Sequence, residues 1–374
     1  MKLIKALSFI LCACILIGTL SACTNNFSTN QWEDYTGNTD VYYKTTTTTL
    51  TTRVEDTLKQ YKIPEYWTYE LKAAVEDSLS ALNSARVNRS SFIWYSDAHW
   101  SYSARRSVNI IKYLQDFTDI RYVNFGGDIV SNNSDVEYDD IVSQLNEWRV
   151  ATLNLSNHHS VVGDHDDGIP KLADKYKLYE FLLRDEVGKT TNADNKFCYF
   201  VDNELERTRY IYLSTGFDET TESDISFLVS TLNSAQKDWH IVLVSHIWFV
   251  YDDANTPTEG TVPDFAKVVF DVIDAYNARE AGSTKGVDYD FASAQARVEF
   301  CIGGHTHVDF DFRTDGGIPV ILNETDSYQL RGGNKSLDKT DEASVSIIVA
   351  DYNMNTIHII RAGRGESRTV TISQ

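Results

Sequence analysis

Between residues 91 and 166, apolar runs of strand length alternate with segments that have helical spacing. Strands that alternate with helices of this length form β–α–β units, in which consecutive strands run parallel. The order therefore predicts the parallel, twisted sheet of an α/β protein, with a third strand that ends in a loop. The segments in chain order are SFIWYSD, SARRSVNIIKYLQDF, RYVNFGGD, SDVEYDDIVSQLNEWRVA and HSVVGDHD.

Two further patterns flank this region. Residues 65–86 place apolar side chains on one helical stripe, which predicts a helix packed on the main domain. Towards the other end of the chain, SVSIIVADYNMNTIHIIRAG predicts a β-hairpin that turns at residues 353–355. Additional strands are predicted from KFCYFVD, RYIYLSTG, HIVLVSHI, VEFCIGGHTH and IPVILNE.

The N-terminus has the pattern of an export signal. Lys2 and Lys5 precede the apolar run ALSFILCACILIGTL, which is shorter than a membrane-spanning helix requires. The next residues, LSAC, end at Cys23 and resemble the lipobox of bacterial lipoproteins. This resemblance implies that residues 1–22 are a signal peptide and that lipidated Cys23 anchors the protein to the bacterial cell membrane, outside the cytoplasm. An uncleaved anchor and plain secretion are the alternatives.

Residues 23–54 are rich in Thr, Asn and Asp and contain the run KTTTTTLTTR, which predicts a flexible tether. Residues 55–374 are then the main domain, with the N-terminal helix and the C-terminal hairpin as extensions. Beyond Cys23 the chain has two cysteines, Cys198 and Cys301, both in apolar strand-like runs. They are predicted to be buried free thiols rather than a disulfide or a zinc site.

The chain has 374 residues and a formal net charge of −20. Such a charge repels nucleic acids and anionic membranes at long range, so no nucleic acid is expected as a partner, apart from nucleotides as substrates. An acidic enzyme that acts on phosphate esters needs local positive charge, and bound metal ions are one source of it. No feature of the sequence indicates an oligomeric state.

Five of the predicted strands end in groups that contain Asp or His. In open α/β sheets, ligands bind outside the carboxyl ends of the strands, so these groups are expected to converge on one crevice. Asp and His supply the oxygen and nitrogen ligands expected for Zn, Mn or Fe. A single such group is more often surface polarity or a core histidine, but five together indicate a metal centre. The groups contain Asp97 and His99; Asp128; Asp164, His165 and Asp166; His246; and His305 and His307.

This ordered set resembles the calcineurin-like metallophosphoesterase superfamily, whose pattern is D-x-H, G-D, G-N-H-[DE], a lone H and G-H-x-H. The resemblance covers roughly residues 90 to 310. It implies a four-layer αββα sandwich with a centre of two divalent metal ions (Mn, Fe or Zn), bridged by Asp128. It assigns to the first metal Asp97, His99, Asp128 and His307, and to the second Asp128, Asp164, His246 and His305.

The same resemblance implies hydrolysis of phosphate mono- or diesters. Two cations would clamp the phosphate oxygens and lower the pKa of a bridging water, whose hydroxide attacks phosphorus. His165 would protonate the leaving oxygen as the general acid, held in place by Asp166. The alternative for Asp166 is a plain turn residue, and Asp167 is expected to belong to the turn.

The sequence departs from the family at Asp164, where the family usually has Asn. A carboxylate is an anionic ligand and an amide is a neutral one, although both are hard oxygen donors. The extra charge should lower the Lewis acidity of the second metal and raise the pKa of the bridging water. The hypothesis is an active enzyme that is slower or has a shifted metal preference.

Several other residues near these motifs have two interpretations. Asn132 and Asn133 could contact phosphate or form a turn, and Arg105 and Arg106 are expected to be solvated. His158 and His159 are expected to precede the third strand and lie off the metal site, while His240 and His358 are expected to be structural. Five aromatic residues could stack on a base, sugar or glycerol unit, or pack around the site: Trp100, Tyr102, Trp248, Phe249 and Tyr251.

A non-enzymatic function is the competing hypothesis. In that case a surface lipoprotein keeps the metal-binding fold to bind a polymer or a partner. The predicted ligands and His165 are all residue types that support catalysis, which favours the metal-dependent phosphoesterase.

Overall fold

Two mixed β-sheets form the centre of the fold in the computed structural model of the chain. The structure describes residues 58–100, 102–130, 138–167, 175–184, 186–214, 220–253, 256, 258–326, 329–330, 333–334 and 337–372. These belong to a compact unit that spans Thr52–Gln374. The predicted signal peptide, the tether and Cys23 lie outside the described residues, as do Asn132 and Asn133.

The described part of the chain contains seven α-helices and two short 3-10 turns, Glu65–Trp67 and Thr340–Glu342. The helices are α1 (Thr68–Ala85), α2 (Tyr102–Thr118), α3 (Tyr138–Thr152), α4 (Asp164–Asp167), α5 (Lys175–Leu182), α6 (Glu222–Asn233) and α7 (Asp264–Ala278). The strands are β1 (Arg89–Tyr95), β2 (Val123–Phe125), β3 (His158–Ser160), β4 (Lys189–Thr191), β5 (Cys198–Asn203), β6 (Thr208–Leu213), β7 (His240–Val244), β8 (Val250–Tyr251), β9 (Gly260–Thr261), β10 (Ala281–Thr284), β11 (Val287–Asp290), β12 (Arg297–Gly303), β13 (Phe310–Arg313), β14 (Pro319–Leu322), β15 (Gln329–Leu330), β16 (Gly333–Asn334), β17 (Ser344–Asp351), β18 (Thr356–Gly363) and β19 (Arg368–Thr371).

The first sheet has the strand order β19-β18-β17-β1-β2-β3. Strands β1, β2 and β3 run parallel, as the alternating sequence pattern predicts. The C-terminal hairpin β17–β18 adds to β1 in the antiparallel direction, so the complete sheet is mixed. Asp351 pairs with Thr356 at the end of the hairpin, which confirms the predicted turn around residues 353–355.

The second sheet has the order β13-β14-β12-β7-β6-β5-β4, with β6, β7, β12 and β14 parallel. It packs face to face on the first sheet, where the Phe92 ring lies 5.5 Å from Tyr210 and 6.3 Å from Phe300. Helices α1 and α2 cover the outer face of the first sheet, and α6 and α7 that of the second. The predicted four-layer α/β sandwich is confirmed.

Helix α1 follows the predicted apolar stripe, because Leu71, Ala74, Val75 and Leu82 are buried against the first sheet. Leu79 also belongs to the predicted stripe, but it is only half-buried. No helix in the described part of the chain has the length and apolar composition needed to cross a membrane. Cys198 and Cys301 are buried free cysteines, as predicted.

The third strand differs from the prediction. Strand β3 is formed by His158, His159 and Ser160, so the two histidines belong to the strand instead of preceding it. The chain then leaves the sheet, and residues 164–167 form one helical turn in place of the predicted loop. The Asp166 amide donates to the Gly163 carbonyl at 3.2 Å, which closes this turn directly after the glycine.

Candidate metal centre

Seven predicted ligands converge from loops that follow five different strands. Asp97 and His99 follow β1, Asp128 follows β2 and Asp164 follows β3, while the remaining three follow β7 and β12. Together with His165, they form overlapping groups, and within each group every candidate ligand atom lies within 4.8 Å of the others. The groups are Asp97, His99 and His307; His99, Asp128 and His165; Asp164, His246 and His305; and Asp97, Asp128 and His246.

The first group is built from the loops after β1 and β12. His307 Nε2 lies 3.0 Å from Asp97 Oδ1, and the rings of His99 and His307 are 5.6 Å apart. The buried Asp97 carboxylate also accepts hydrogen bonds from the Ser96 hydroxyl and from the His305 amide. Ser96 was not predicted from the sequence, although its position directly before Asp97 could have indicated a contact with this carboxylate.

The second group is centred on Asp164. Its Oδ1 lies 3.1 Å from His246 Nε2 and 3.0 Å from His305 Nδ1. The other ring nitrogen of His246, Nδ1, lies 2.6 Å from the Gly126 carbonyl. A carbonyl can only accept, so Nδ1 carries the proton and Nε2 is left as the ligand atom, a usual arrangement around metal-binding histidines.

Asp128 stands between the two groups. Its Oδ2 lies 3.2 Å from His246 Nε2 and 3.9 Å from His99 Nε2, so it reaches one histidine of each group. Its other oxygen, Oδ1, accepts the backbone amide of His165 at 2.8 Å. The bridging role of Asp128 stays a prediction, with which these distances are compatible.

The loops that carry the ligands have a costly backbone conformation. Five candidate ligands have φ between +41° and +67°, the left-handed region that L-residues avoid at about 1–2 kcal/mol each. Interstrand hydrogen bonds hold them: the Asp97 amide donates to Gly127 and the His99 amide to Asp128, both at 3.0 Å. Such strain is typical of functional sites. The five are Asp97, His99, Asp128, His305 and His307.

Two glycines allow the ligand loops to approach each other. A side chain at Gly163 would overlap the Asp128 carboxylate, and one at Gly304 would overlap the carboxylate of Asp97 and the Ser96 hydroxyl. Neither glycine has a positive φ, so steric space rather than backbone freedom is what these positions require.

Asp166 has a different role from the predicted support of His165. Its Oδ1 accepts the amides of Ile129 at 2.9 Å and Val130 at 3.2 Å, and its Oδ2 accepts the amide of Gly163 at 3.0 Å. The buried carboxylate therefore joins the loops after β2 and β3, because its helical turn points it inward. Burial, followed by the charge of Asp128, raises the pKa of Asp166 to about 7, against the effect of the amides.

His165 lies at the open side of the centre. Its side chain is 35 % exposed, its ring is 4.6 Å from that of His99, and its Nε2 is 4.0 Å from Asp164 Oδ2. The general-acid role of His165 remains a prediction. The His165 backbone is held by the hydrogen bond from its amide to Asp128.

The charged and buried groups of the centre shift one another's pKa values. Burial raises the pKa of Asp97, but His307 and His246 outweigh it and keep this pKa below its usual range. Burial also raises the pKa of Asp164, and its hydrogen bonds to two histidines reverse the shift. Burial lowers the pKa of His99 to about 4. Burial also lowers the pKa of His246 and of His307, but the carboxylates of Asp97 and Asp128 outweigh it and raise both values. Divalent cations require ionised carboxylates and neutral imidazoles, so a bound cation would displace the protons that these carboxylates favour on the two rings.

The residues present fit a pair of divalent cations. Three carboxylates and four imidazoles form a donor set suited to Zn, Mn or Fe. His99 Nε2 is buried and has no hydrogen-bond partner among the described residues. Buried ring nitrogens normally have a partner, so this nitrogen is placed as a ligand atom would be.

The other candidate residues divide into packing residues and one residue at the site. Trp100, Trp248 and Phe249 are buried and belong to the packing alternative. Tyr251 is half-buried, and its ring stacks on that of His305 at 5.5 Å. The side chain of Tyr102, like Asn132 and Asn133, lies outside the described residues.

The two arginines at the start of α2 behave differently from each other. Arg105 is exposed and forms an ion pair with Glu147, as expected for a solvated residue. Arg106 is only 14 % exposed and forms an ion pair with the fully buried carboxylate of Glu342, so the prediction of a solvated Arg106 was wrong. The amphipathic pattern of α2 does not reveal that a buried acid from the far end of the chain faces this position.

Four further histidines lie outside the groups formed by the described residues. His240 Nδ1 contacts Glu299 Oε1 at 2.7 Å and its ring stacks on Tyr352, which confirms its structural role. His159 is buried 3.5 Å from Glu186. His158 and His358 lie on strands β3 and β18.

No protein-family model matches the chain, and no curated protein matches it. Among solved structures, it is similar to a dimetal phosphatase from Danio rerio, with 12% identity over 76% of this chain and 99% of that chain and a TM-score of 0.45. It is similar to a phosphoesterase from E. coli, with 13% identity, 76% and 100% coverage and a TM-score of 0.33. A hypothetical protein from Pyrococcus horikoshii has 9% identity, 76% and 88% coverage and a TM-score of 0.30.

Proposed function

We propose that the protein is a metal-dependent phosphoesterase that hydrolyses phosphate mono- or diesters. The observation that carries this proposal is the convergence of three carboxylates and four histidines, from five strand ends, into candidate metal groups linked by Asp128. The strained backbone of five of these residues supports it, since such strain persists mainly at functional sites.

The distances support the two ligand sets that the resemblance implies. Asp97, His99 and His307 would hold one cation, with Asp128 completing the set. Asp164, His246 and His305 would hold the second, and Asp128 Oδ2 also faces His246. When bound, two divalent cations supply Lewis acidity towards the phosphate oxygens and lower the pKa of water.

His165 is the proposed general acid. Its ring is partly exposed beside the ligands, and its Nδ1 has no hydrogen-bond partner among the described residues. A proton on this ring could be passed to the oxygen of the leaving group. Asp128 accepts the amide of His165 and Asp166 accepts the amide of Gly163, so both carboxylates would hold the backbone turn that carries the ring.

The test combines turnover with metal content. The wild-type protein loaded with Mn²⁺ should hydrolyse chromogenic phosphate esters. His165→Ala should keep its metal and lose about 10²- to 10⁴-fold in kcat. Asp128→Ala should lose metal, as measured by elemental analysis. His358→Ala, a histidine replacement outside the candidate groups, is the matched control and should keep both properties.

The same experiment discriminates the competing hypothesis. A wild-type protein that binds metal and turns over neither a mono- nor a diester would be a metal-binding surface protein that recognises a polymer or a partner. Equal activity of His165→Ala and His358→Ala would remove the general-acid role alone.

We further propose that the phosphoesterase acts outside the cytoplasm, anchored to the bacterial membrane through lipidated Cys23. The proposal rests on the signal-like pattern of residues 1–22 and on the LSAC motif. Labelled palmitate should be incorporated into the wild-type protein and not into Cys23→Ala, which should appear in the soluble fraction. Equal labelling of the two proteins would contradict the anchor.

A further inference from the structure

The three carboxylates of the centre differ in exposure. The Asp97 side chain is 0% exposed and that of Asp128 is 2% exposed, whereas the Asp164 side chain is 25% exposed. The negative charge that an arriving substrate meets first is therefore that of Asp164.

The two oxygens of Asp164 have different surroundings. Oδ1 is used by His246 and His305, whereas Oδ2 lies 4.0 Å from Nε2 of His165, the proposed general acid. Oδ2 thus faces the side at which a phosphate ester would be cleaved. A carboxylate can only accept hydrogen bonds, so it offers an anionic phosphate oxygen no donor.

In the described part of the chain, no lysine or arginine forms a hydrogen bond or an ion pair with the seven ligand side chains. Their hydrogen bonds, ion pairs and ring contacts are made with Asp, His, Ser and Tyr side chains and with backbone groups. The three carboxylates would offset three of the four positive charges that two divalent cations bring. The protein also carries a net charge of −20, so the field at the site is only weakly positive.

An aromatic surface adjoins the same residue. The ring of Tyr251 stacks on His305 at 5.5 Å with an interplanar angle of 25°, and His305 contacts Asp164 Oδ1. Tyr251 is half-buried on the short ribbon β8–β9. It provides a place for an organic substituent next to the position where a second charged oxygen would be repelled.

We infer that the site selects phosphodiesters, which are monoanions, over phosphomonoesters, which are dianions at neutral pH. The inference rests on the proposed phosphoesterase function. The oxygen of water bonds to phosphorus, and the P–O bond to one alcohol breaks with its electron pair on that oxygen. The leaving oxygen takes one proton, and the second proton of the water is released to solvent when the dianionic product forms. The products are an alcohol and a phosphomonoester, and Asp164 favours release of this dianionic product.

The test compares two substrates with the same leaving group, p-nitrophenyl phosphate and methyl p-nitrophenyl phosphate, at pH 8 with the Mn²⁺-loaded full chain. The first is a dianion at this pH, since its second pKa is about 6. We expect kcat/KM of the wild type to be at least about tenfold higher for the diester. Asp164→Asn should shift the ratio about tenfold towards the monoester, as expected for one charge about 4–5 Å away at a protein surface.

Asp119→Asn is the matched control. Asp119 is 79% exposed, lies before β2 at the opposite end of that strand from Asp128, and has φ of 59°, which Asn tolerates. This variant makes the same charge change and should leave the ratio of the two substrates unchanged.

A binding measurement provides a second readout without turnover. By calorimetry, Asp164→Asn should bind inorganic phosphate about tenfold more tightly than the wild type and dimethyl phosphate with unchanged affinity. A wild type that prefers the monoester, or an Asp164→Asn variant that moves neither ratio nor phosphate affinity, would overturn the inference. If Asp164→Asn loses its metal, the wild type alone tests the inference. The test is then its ratio of kcat/KM for the two esters and its relative affinity for inorganic phosphate and dimethyl phosphate. Absence of turnover with both substrates would overturn the proposed function instead.

Discussion

Asp166 shows how one buried carboxylate can organise the candidate centre through backbone amides. Its oxygens accept amides from two loops, at residues 129, 130 and 163. These amides belong to the segments next to Asp128 and Asp164. The carboxylate therefore acts on the candidate ligands through the backbone, as a positioning residue.

Removing this carboxylate should affect both stability and metal binding. Asp166→Ala leaves three buried amides without a partner, at roughly 1–3 kcal/mol for each unsatisfied group. We expect the free energy of unfolding of the metal-free protein to fall by at least about 3 kcal/mol. Mn²⁺ binding should weaken at least about tenfold, because loose outer partners cost affinity at metal sites.

Urea denaturation and calorimetric Mn²⁺ titration measure these two effects. Asp140→Ala, which removes an exposed carboxylate of α3, is the control and should change the free energy of unfolding by less than about 0.5 kcal/mol. An Asp166→Ala protein with unchanged Mn²⁺ affinity would show that the carboxylate contributes to the stability of the fold and not to metal binding.

At the scale of the elements, Glu342 joins segments that are far apart in the chain. Its buried carboxylate accepts hydrogen bonds from the Tyr66 hydroxyl at 2.7 Å and from Trp67 Nε1 at 3.0 Å, both in the turn before α1. It also forms an ion pair with Arg106 of α2. The N-terminal helix, α2 and the segment before the C-terminal hairpin are thus held by one side chain.

The contribution of Glu342 should depend on pH. Burial raises its pKa, but the hydrogen bonds from Arg106 and Tyr66 outweigh it and lower the pKa below its usual value. A lowered pKa stabilises the fold above the unfolded-state value of about 4.3, and this stabilisation is lost as the pH falls through the folded-state pKa. Glu342→Gln should therefore cost about 3 kcal/mol at pH 7 and progressively less below about pH 4.

The neighbouring ion pair offers a matched control. Glu147→Gln removes the partner of Arg105, an ion pair whose side chains are 55% and 42% exposed. Exposed pairs contribute less than about 1 kcal/mol, so this variant should be nearly as stable as the wild type. The free energy of unfolding of each variant is measured at pH 7 and below pH 4. A loss in Glu342→Gln that is the same at both pH values would contradict this prediction.

At the scale of the whole molecule, metal binding and folding should be coupled. The unfolded chain does not hold the ligands together, whereas the fold brings seven of them into one place against the cost of left-handed backbone. Free Mn²⁺ at about 100 times its dissociation constant should add about 2.7 kcal/mol to the free energy of unfolding. This corresponds to a rise in Tm of roughly 3–5 °C for a chain of this size.

Differential scanning calorimetry with EDTA and with Mn²⁺ measures this coupling. Asp128→Asn removes the negative charge of the residue that links the groups, so the rise in Tm should be largely lost in this variant. An equal rise in the wild type and in Asp128→Asn would place the stabilising cation elsewhere on the molecule.

Local patterns in the sequence determine much of the fold. The apolar stripe of α1 and the alternating hairpin β17–β18 are set by local hydrophobic periodicity, and both form where the patterns predict them. The candidate ligands could also be predicted, because parallel strands bring their carboxyl ends to one edge of a sheet. For the same reason, Asp97 and His307 could be placed together although 210 residues separate them.

Only the tertiary structure decides which partner each side chain takes. The motif around His165 does not indicate that Asp166 points inward to the amides of a neighbouring loop, and the pattern of α2 does not indicate that Arg106 meets Glu342. Hydrophobic periodicity along the chain determines the elements, whereas buried polar groups must find partners wherever the packed fold brings a donor or an acceptor within reach. The sequence by itself therefore determined the layers and the candidate ligand residues, and the packing of the layers decided how those side chains are held.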